Sequence, residues 1–274
     1  MNHSEAGAFW ERNAEAWTQL ARAGHDVFRD QVNTPAFFTL LPPVAGLAGL
    51  DLGCGEGHHT RLLARQGALM TGLDIAPTFI RHAEAEEARA PLGISYVTAS
   101  AVHLPFPDRV FDFVTGFMSL HDIPELEVVL REVVRVLLPG GFLQFSILHP
   151  CFNPPHRRVV RDEAGDATAI EVSDYFLDAD GRVDTWTFGS VPESLRRTYG
   201  EFRIPRFHRP LAEWMNLLVD AGLVIERCAE PRPSAAAVAE RPTLRDGEVA
   251  PYFLLVRARR SALRVTPATA LAKP

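Results

Sequence analysis

An α/β fold built on a parallel sheet, with helices on both faces, is what this sequence of 274 residues predicts. Two observations carry the prediction. From residue 47 onward, short apolar runs alternate with helix-length periodic segments, the pattern of strands joined by crossover helices. Within it, Gly49-Leu50-Asp51-Leu52-Gly53-Cys54-Gly55-Glu56-Gly57 is an apolar strand interrupted by an acid and followed by glycines on alternate positions, and Met70-Thr71-Gly72-Leu73-Asp74-Ile75 is a second strand ending in an acid. A strand, a glycine-rich turn, a helix and a second strand tipped by a carboxylate make a binding site for a nucleoside-containing cofactor.

Composition sets the class. A 47% hydrophobic and 23% charged chain is an ordinary globular protein, and its length suits one α/β domain carrying an insertion. A net charge of −6 and a pI near 5.9 argue against broad, salt-driven nucleic-acid binding. Cys54, Cys151 and Cys228 lie far apart without CxxC pairing, so reduced thiols are expected rather than a disulfide framework or structural zinc. The first residues lack the basic start and apolar run of a signal peptide, and no stretch approaches the roughly 18 apolar residues of a membrane helix. The expectation is a cytoplasmic protein with neither a membrane nor a nucleic-acid partner.

Residues 8–23 form an amphipathic helix through Phe9, Trp10, Asn13, Trp17 and Leu20, stopped by Gly24. A second short helix through Val27, Phe28, Val32 and Phe37-Phe38 ends before Pro42-Pro43. Trp10 and Trp17, with His25, Arg29 and Asn33, suit a lid over a ligand; equally, the tryptophans serve helix packing. Residues 1–46 are therefore expected as an N-terminal helical lid. Strands follow at 47–52, 68–74, 93–98, 111–117 and 142–148, with helices at 58–66, at 77–90 (Pro77 in its first turn) and at 123–138. Pro139-Gly140-Gly141 ends that last helix and turns the chain into the next strand. This is the cofactor-binding core, 47–149. Residues 150–208 break the rhythm, rich in Pro, Asp, Arg and scattered aromatics, and are expected as a cap insertion. A helix at 210–221, closed by Gly222, and strands at 223–228 and 252–258, separated by a loop at 230–249, complete the core over 209–258. Residues 259–274 are expected as a disordered tail.

The turn is Gly53-x-Gly55-x-Gly57; where a dinucleotide fingerprint places its third glycine, residue 58 is histidine. Downstream come Leu104-Pro105-Phe106, then Phe111-Asp112-Phe113-Val114-Thr115, then Leu137-Leu138-Pro139-Gly140-Gly141. Together with Asp51 and Asp74, in this order, these signals resemble class I S-adenosylmethionine (SAM)-dependent methyltransferases, especially the small-molecule group that includes the ubiquinone/menaquinone methyltransferases. The resemblance covers about 47–148, and the C-terminal helix–strand–strand matches the same plan. It implies a Rossmann-like, seven-stranded, mostly parallel sheet whose last strand is antiparallel, SAM as cofactor and S-adenosylhomocysteine as product.

It also implies roles. Gly53, Gly55 and Gly57 let the backbone pass close beneath the cofactor, where a Cβ would collide. Cys54 is the small residue of that loop, not a nucleophile, and the loop's amides opening the next helix favour a carboxylate. Asp74 accepts from two ribose hydroxyls, Ile75 packs on adenine, Phe117 and Met118 meet the amino-acid group, and Asp51 fixes the loop and approaches the ammonium. Trp17 and Arg29 join the cofactor set from the lid, Arg29 pairing with the SAM carboxylate. After the third strand, where the family commonly carries Asp-Ala, this chain has Ser100, Ala101 and Val102, so the adenine amino group meets no charge there. His58-His59 point apart on a turn, and no metal is expected.

With an activated methyl donor, the protein mainly aligns the acceptor, and a general base assists if the acceptor is a hydroxyl or acidic carbon. His121, His149 and His208 all fall near the sheet edge where ligands of open α/β sheets sit; each is either the base or a structural histidine. Tyr175 and Tyr199 are further candidates for the acceptor site. The last third of the insertion is locally basic, and Arg206 and Arg209 either face an anionic group on the acceptor or sit on a solvated surface. The resulting expectation is SAM-dependent methyl transfer to an O, N or C atom of a small metabolite, in secondary metabolism. A SAM-binding protein without methyl transfer is the alternative, and a nicotinamide-dependent oxidoreductase is disfavoured by the missing third glycine. Oligomeric state stays open, a homodimer among the options.

Overall fold

The computed structural model describes residues 1–177 and 181–261. The chain opens with α1 (His3–Arg22), a wide helical turn at Arg29–Asn33 and α2 (Thr34–Leu40). Helix α1 starts earlier than periodicity suggests because Asn2 and Glu5 form a reciprocal capping box: the Asn2 side chain accepts from the Glu5 amide at 3.0 Å, and Glu5 accepts from the Asn2 amide at 2.8 Å. The core then alternates: β1 (Ala48–Leu52), α3 (His58–Arg65), β2 (Leu69–Asp74), α4 (Pro77–Arg89), β3 (Ser95–Thr98), β4 (Phe111–Phe117), α5 (Leu126–Val136) and β5 (Leu137–Leu148). The insertion holds β6 (His156–Arg161), β7 (Ala167–Ser173), β8 (Arg182–Trp186), α6 (Glu193–Tyr199) and β9 (Phe202–Arg206). The chain closes with α7 (Leu211–Asp220), β10 (Leu223–Ala229), the short helices α8 (Ala235–Glu240) and α9 (Asp246–Val249), and β11 (Phe253–Arg260).

Seven strands make one sheet in the order β10-β11-β5-β4-β1-β2-β3. Neighbours from β5 to β3 run parallel, and β11 is inserted antiparallel between β10 and β5. This is the predicted seven-stranded, mostly parallel sheet with its antiparallel last strand. The order reverses between β1 and β4, so the carboxyl ends of those strands flank the crevice where an open α/β sheet takes its ligand.

Four expectations shift. The helix placed at 123–138 begins only at Leu126, after a tight turn at Leu120–Asp122, and ends at Val136. Pro139-Gly140-Gly141 lies inside β5: Gly140 takes φ +79°, and a Cβ on Gly141 would come 2.7 Å from the Asp112 carbonyl, so the motif bends a strand rather than ending a helix. The stretch 150–208 is two antiparallel pairs of strands, β6–β7 and β8–β9, with α6 in the connection from β8 to β9. Strand β11 also runs to Arg260, into the stretch expected as a tail, whose residues 262–274 lie outside the described ones.

The core explains the order. On one face, α5 buries Leu126, Val129, Leu130, Val133 and Val136, a 3.6-residue stripe, against Leu50, Val114 and Phe145, with Trp214 of α7 stacked on Phe145 at 5.7 Å. On the other face, Phe37 of α2 packs with Leu255, and Leu63 of α3 with Phe113 and Phe142. A third cluster joins α1 to the cap: Leu20 and Ala21 meet Phe188, Phe202 and Ile204, with Trp10, Trp17 and Trp186 around them. No helix among the described residues is long and apolar enough to cross a membrane.

Trp214 is 2% exposed, so truncation leaves a large void between α7 and the sheet. Trp214→Ala is expected to lower unfolding free energy by about 3–5 kcal/mol in urea denaturation; a loss under ~1 kcal/mol would show that α7 is not part of the cooperative core.

Candidate functional site

The turn between β1 and α3 is shaped by its glycines. Gly53, Gly55 and Gly57 take φ of +65°, +55° and +86°, a region that strains other residues. Their surroundings differ. A Cβ on Gly53 would lie 2.4 Å from Ser119 Cβ, and one on Gly57 would lie 2.5 Å from the Tyr96 hydroxyl. Only Gly55 has nothing within 4 Å of that position, because it borders a cavity of about 680 Å³. Gly57 does not line this cavity and packs against Tyr96 of β3.

Two buried carboxylates face this cavity. Asp51, 1% exposed, accepts from the Thr60 hydroxyl of α3 at 2.6 Å and the Thr115 hydroxyl of β4 at 2.8 Å, which ties three elements together at the strand ends. Asp74 accepts from the Gly55 amide at 2.9 Å and from the Ala76 amide at 2.9 Å. Burial lifts both carboxyls to about 6, and the Asp74 charge adds to the rise at Asp51. Cys54 lines the same wall, its amide donating to the Leu73 carbonyl at 3.0 Å; burial and the two aspartates push its thiol well up, so it stays protonated.

The remaining walls collect residues from the whole chain. Ile75, Ser100 and Ala101 line the cavity, and so do Phe117 and Met118. Met118 holds φ +54°, a strained backbone that turns the end of β4 toward the ligand space. Val102 does not line it; its side chain packs on the sheet core and its amide donates to Ser100 Oγ at 3.4 Å. His59, in the adjacent pair, stacks on Phe117 at 3.5 Å and pairs with the Thr34 hydroxyl at 2.9 Å. Trp17 serves both roles open to it: it lines the cavity and packs on Phe188 and Phe202 at 4.9 Å each. Arg29 also lines the cavity, donating through Nε to Asp30 at 2.7 Å and through Nη2 to the Ala21 carbonyl at 3.2 Å.

Of the three candidate bases, His121 alone reaches the main cavity. Its Nδ1 is buried without a hydrogen-bond partner, and its Nε2 is 3.6 Å from Asp122. Burial, with Arg206 and Arg209 nearby, holds its pKa down to about 3, so the ring is neutral, while burial lifts the Asp122 carboxyl to about 7. His149 is corrected to a structural residue: it is buried outside the cavity, Nε2 pairs with Glu230 at 2.8 Å and Nδ1 accepts from the Cys151 amide at 3.2 Å. His208 pairs with the Tyr175 carbonyl at 2.8 Å and lines a smaller adjoining cavity. Tyr175 lies off both cavities, its hydroxyl accepting from the Leu211 amide at 2.7 Å at the start of α7; Tyr199 likewise packs within the α1–cap cluster. Arg206 lines both cavities. Arg209 lines the smaller one and braces the turn before α5, donating to the carbonyls of Ile123 at 2.9 Å and Pro124 at 2.6 Å.

Sequence reasoning missed the cap's share of the main cavity, above all Trp186, Thr187, Phe188 and Ile204. Trp186 Nε1 and Thr187 Oγ1 are buried there without partners. The period-two stretch Trp186-Thr187-Phe188 was a signal for a strand end, but nothing in the sequence links it to Trp17. Asp122 was also missed, although it adjoins His121.

Residues 50–145 match the family model described as a methyltransferase domain. The chain is 38% identical over 114 residues to the fatty-acid O-methyltransferase of Mycolicibacterium smegmatis, covering 41% of each protein. It is 36% identical over 114 residues to the demethylmenaquinone methyltransferase of Tropheryma whipplei, covering 40% of this chain and 46% of that protein. The chain thus spans less than half the length of these curated relatives. The crystal structure of an S-adenosylmethionine-dependent methyltransferase from Mesorhizobium loti superposes with a TM-score of 0.66 at 30% identity, over 82% of this chain and 96% of that one. A likeness of that extent reaches well past the glycine turn and the five core strands, and on it the chain belongs to the S-adenosylmethionine-dependent methyltransferases.

Proposed function

We propose that this chain moves a methyl group from SAM to an O, N or C atom of a small metabolite, chiefly by holding donor and acceptor in line. The observation that carries the reading is the acidic floor of the main cavity, where Asp51 and Asp74 are buried side by side on the ends of β1 and β2. Such a floor suits a ligand that brings cationic groups and hydroxyls, and it repels a dinucleotide's pyrophosphate.

Bound SAM supplies an electrophilic methyl group on a sulfonium. In this reading Asp74 accepts from the ribose hydroxyls with the lone pairs left over by the Gly55 and Ala76 amides. Asp51 sets the negative field for the ammonium, and Gly55 leaves the room a Cβ would fill. Ile75, Ser100 and Ala101 wall the adenine, while Phe117, Met118 and Arg29 border the amino-acid end. Trp17, Trp186, Phe188 and Ile204 offer an apolar wall to the acceptor. His121 lines the same cavity with a neutral ring, which would position a reacting hydroxyl and take up the proton its methylation releases. Alignment of this kind is worth roughly 7–11 kcal/mol of barrier. Small acceptors are supported by the fatty-acid and demethylmenaquinone enzymes among the relatives, and we place the enzyme in the cytoplasm, in secondary metabolism.

Calorimetric titration with SAM, S-adenosylhomocysteine and NAD tests the cofactor half. Both adenosyl ligands are expected to bind, and tight NAD binding without a SAM response would overturn the reading. Asp74→Ala is expected to weaken SAM about 10²-fold, the worth of one or two charge-assisted hydrogen bonds, with thermal stability retained.

The pH dependence has a definite sign. Asp51 and Asp74 have pKa values near 6 in the free protein, and a cation beside them favours the ionised form, so bound pKa values lie lower. SAM affinity is therefore full above about pH 7 and declines as pH falls through 6, by up to about tenfold per unit for each group. On folding of the ligand-free chain the same groups act oppositely: raised above their 3.8 reference, they favour the folded state as pH falls from 7 toward 4. Affinity that stays flat from pH 7.5 to 5 would remove these carboxylates from the site. The acceptor half is tested by a radiolabelled-methyl screen of candidate metabolites; SAM binding with no label transferred to any acceptor would favour a SAM-binding protein that does not methylate.

A further inference from the structure

The smaller cavity, of about 300 Å³, adjoins the main one, and His121, Asn153 and Arg206 stand in the walls of both. Its far side belongs to the cap. Arg157 projects from β6, Arg182 and Asp184 from β8, and Arg206 from the end of β9, paired across the hairpin with Arg182. Three guanidiniums from two hairpins therefore converge, and Asp184 is the one carboxylate among the described residues that line this space.

Asp184 already serves two of them. It accepts from Arg182 Nε at 3.2 Å and from Arg206 Nε at 2.9 Å. Among the described residues Arg157 has no carboxylate partner: its guanidinium lies 4.5 Å over the Tyr252 ring, Nη1 donates to the Tyr252 hydroxyl at 3.3 Å, and its Nε is buried without a described partner. A buried, unpaired N–H on a permanently charged group is unfavourable unless a ligand completes it. Solvent-facing arginines would instead diverge toward water. Planar, forked donors of this kind match the paired oxygens of a carboxylate or phosphate.

We propose that this annex is an anion subsite, and that the methyl acceptor carries a carboxylate or phosphate which Arg157, Arg182 and Arg206 hold while its apolar body lies along Trp186 and Phe188. The inference rests on the main cavity being the site of methyl transfer, and it narrows the acceptor to an organic acid or a phosphate ester. It also adds Arg157 and Arg182 to the recognition set.

The test uses the full chain saturated with S-adenosylhomocysteine, titrated calorimetrically with benzoate and separately with inorganic phosphate, ionic strength being held with sodium chloride. Saturable binding of at least one probe is expected, benzoate alone marking a carboxylate site and phosphate alone a phosphate site. Arg157→Gln and Arg182→Gln should each weaken it about tenfold, the worth of one charge-assisted hydrogen bond, while S-adenosylhomocysteine affinity and thermal stability stay unchanged. Arg157→Lys, which keeps the charge, should retain more binding than Arg157→Gln. Absence of saturable binding by either probe, or equal binding in wild type and both glutamine variants, overturns the subsite. Failure of the wild type to bind S-adenosylhomocysteine overturns the methyltransferase reading instead, so the two failures are distinguishable.

Discussion

Everything in the site depends on how the chain leaves β1 and enters α3. It must reverse direction within residues 53–57 and still leave the strand end open. Three left-handed glycines achieve the reversal, and each is required for a separate contact: Gly53 clears Ser119 just beyond β4, Gly57 clears Tyr96 of β3, and Gly55 borders the cavity. The Ser119 hydroxyl donates to the Leu52 carbonyl at 2.6 Å, so the ends of β1 and β4 are joined where Gly53 lets them meet. Asp51 then clamps α3 and β4 through two threonine hydroxyls. The turn also delivers the Gly55 amide to Asp74, which fixes the second carboxylate. A Cβ at any of these glycines would strain the left-handed backbone, and at Gly53 or Gly57 it would also collide with Ser119 or Tyr96.

Above that floor, the lid and cap form one apolar body rather than two flaps. Helix α1 is held to the core by Glu11, which accepts from the Thr78 amide at 2.9 Å and hydroxyl at 2.6 Å at the start of α4, and by Arg22, which donates to Glu56 at 2.9 Å. Its tryptophans continue into Trp186, Phe188 and Phe202 of the cap, in edge-on and tilted contacts of 4.9–5.7 Å. The charge pattern then runs from acid to base: Asp51 and Asp74 at the strand ends, the neutral His121 at the junction, and Arg157, Arg182 and Arg206 beyond it.

Local chemistry explains what was legible. The strands, their alternation with helices, the glycine turn and the carboxylate tips all follow from neighbours in sequence; Asp51, Asp74, Ile75, Ser100, Phe117 and Met118, which the family resemblance assigned to the cofactor, line the cavity. The expected helix stop at Pro139-Gly140-Gly141 failed because the same residues also make a strand bend, and only the approach of Gly141 to the Asp112 carbonyl distinguishes the two. Histidines 121, 149 and 208 were indistinguishable by position near the sheet edge. Their partners separate them: Glu230 and the Cys151 amide occupy His149, the Tyr175 carbonyl holds His208, and His121 keeps a bare nitrogen.

The sequence by itself determined the sheet, the cofactor turn and the pair of acids, because each is encoded within a few residues by backbone freedom, apolar periodicity and a side chain at a strand's tip. The tertiary structure alone decided which histidine lines the main cavity, that the tryptophans of α1 meet the cap, and that arginines from two hairpins line one small cavity. Those are contacts between residues far apart in the chain, between positions 17 and 186 or 157 and 206. They exist only once loop closure brings the strands together, and no local pattern records which distant side chain will be opposite.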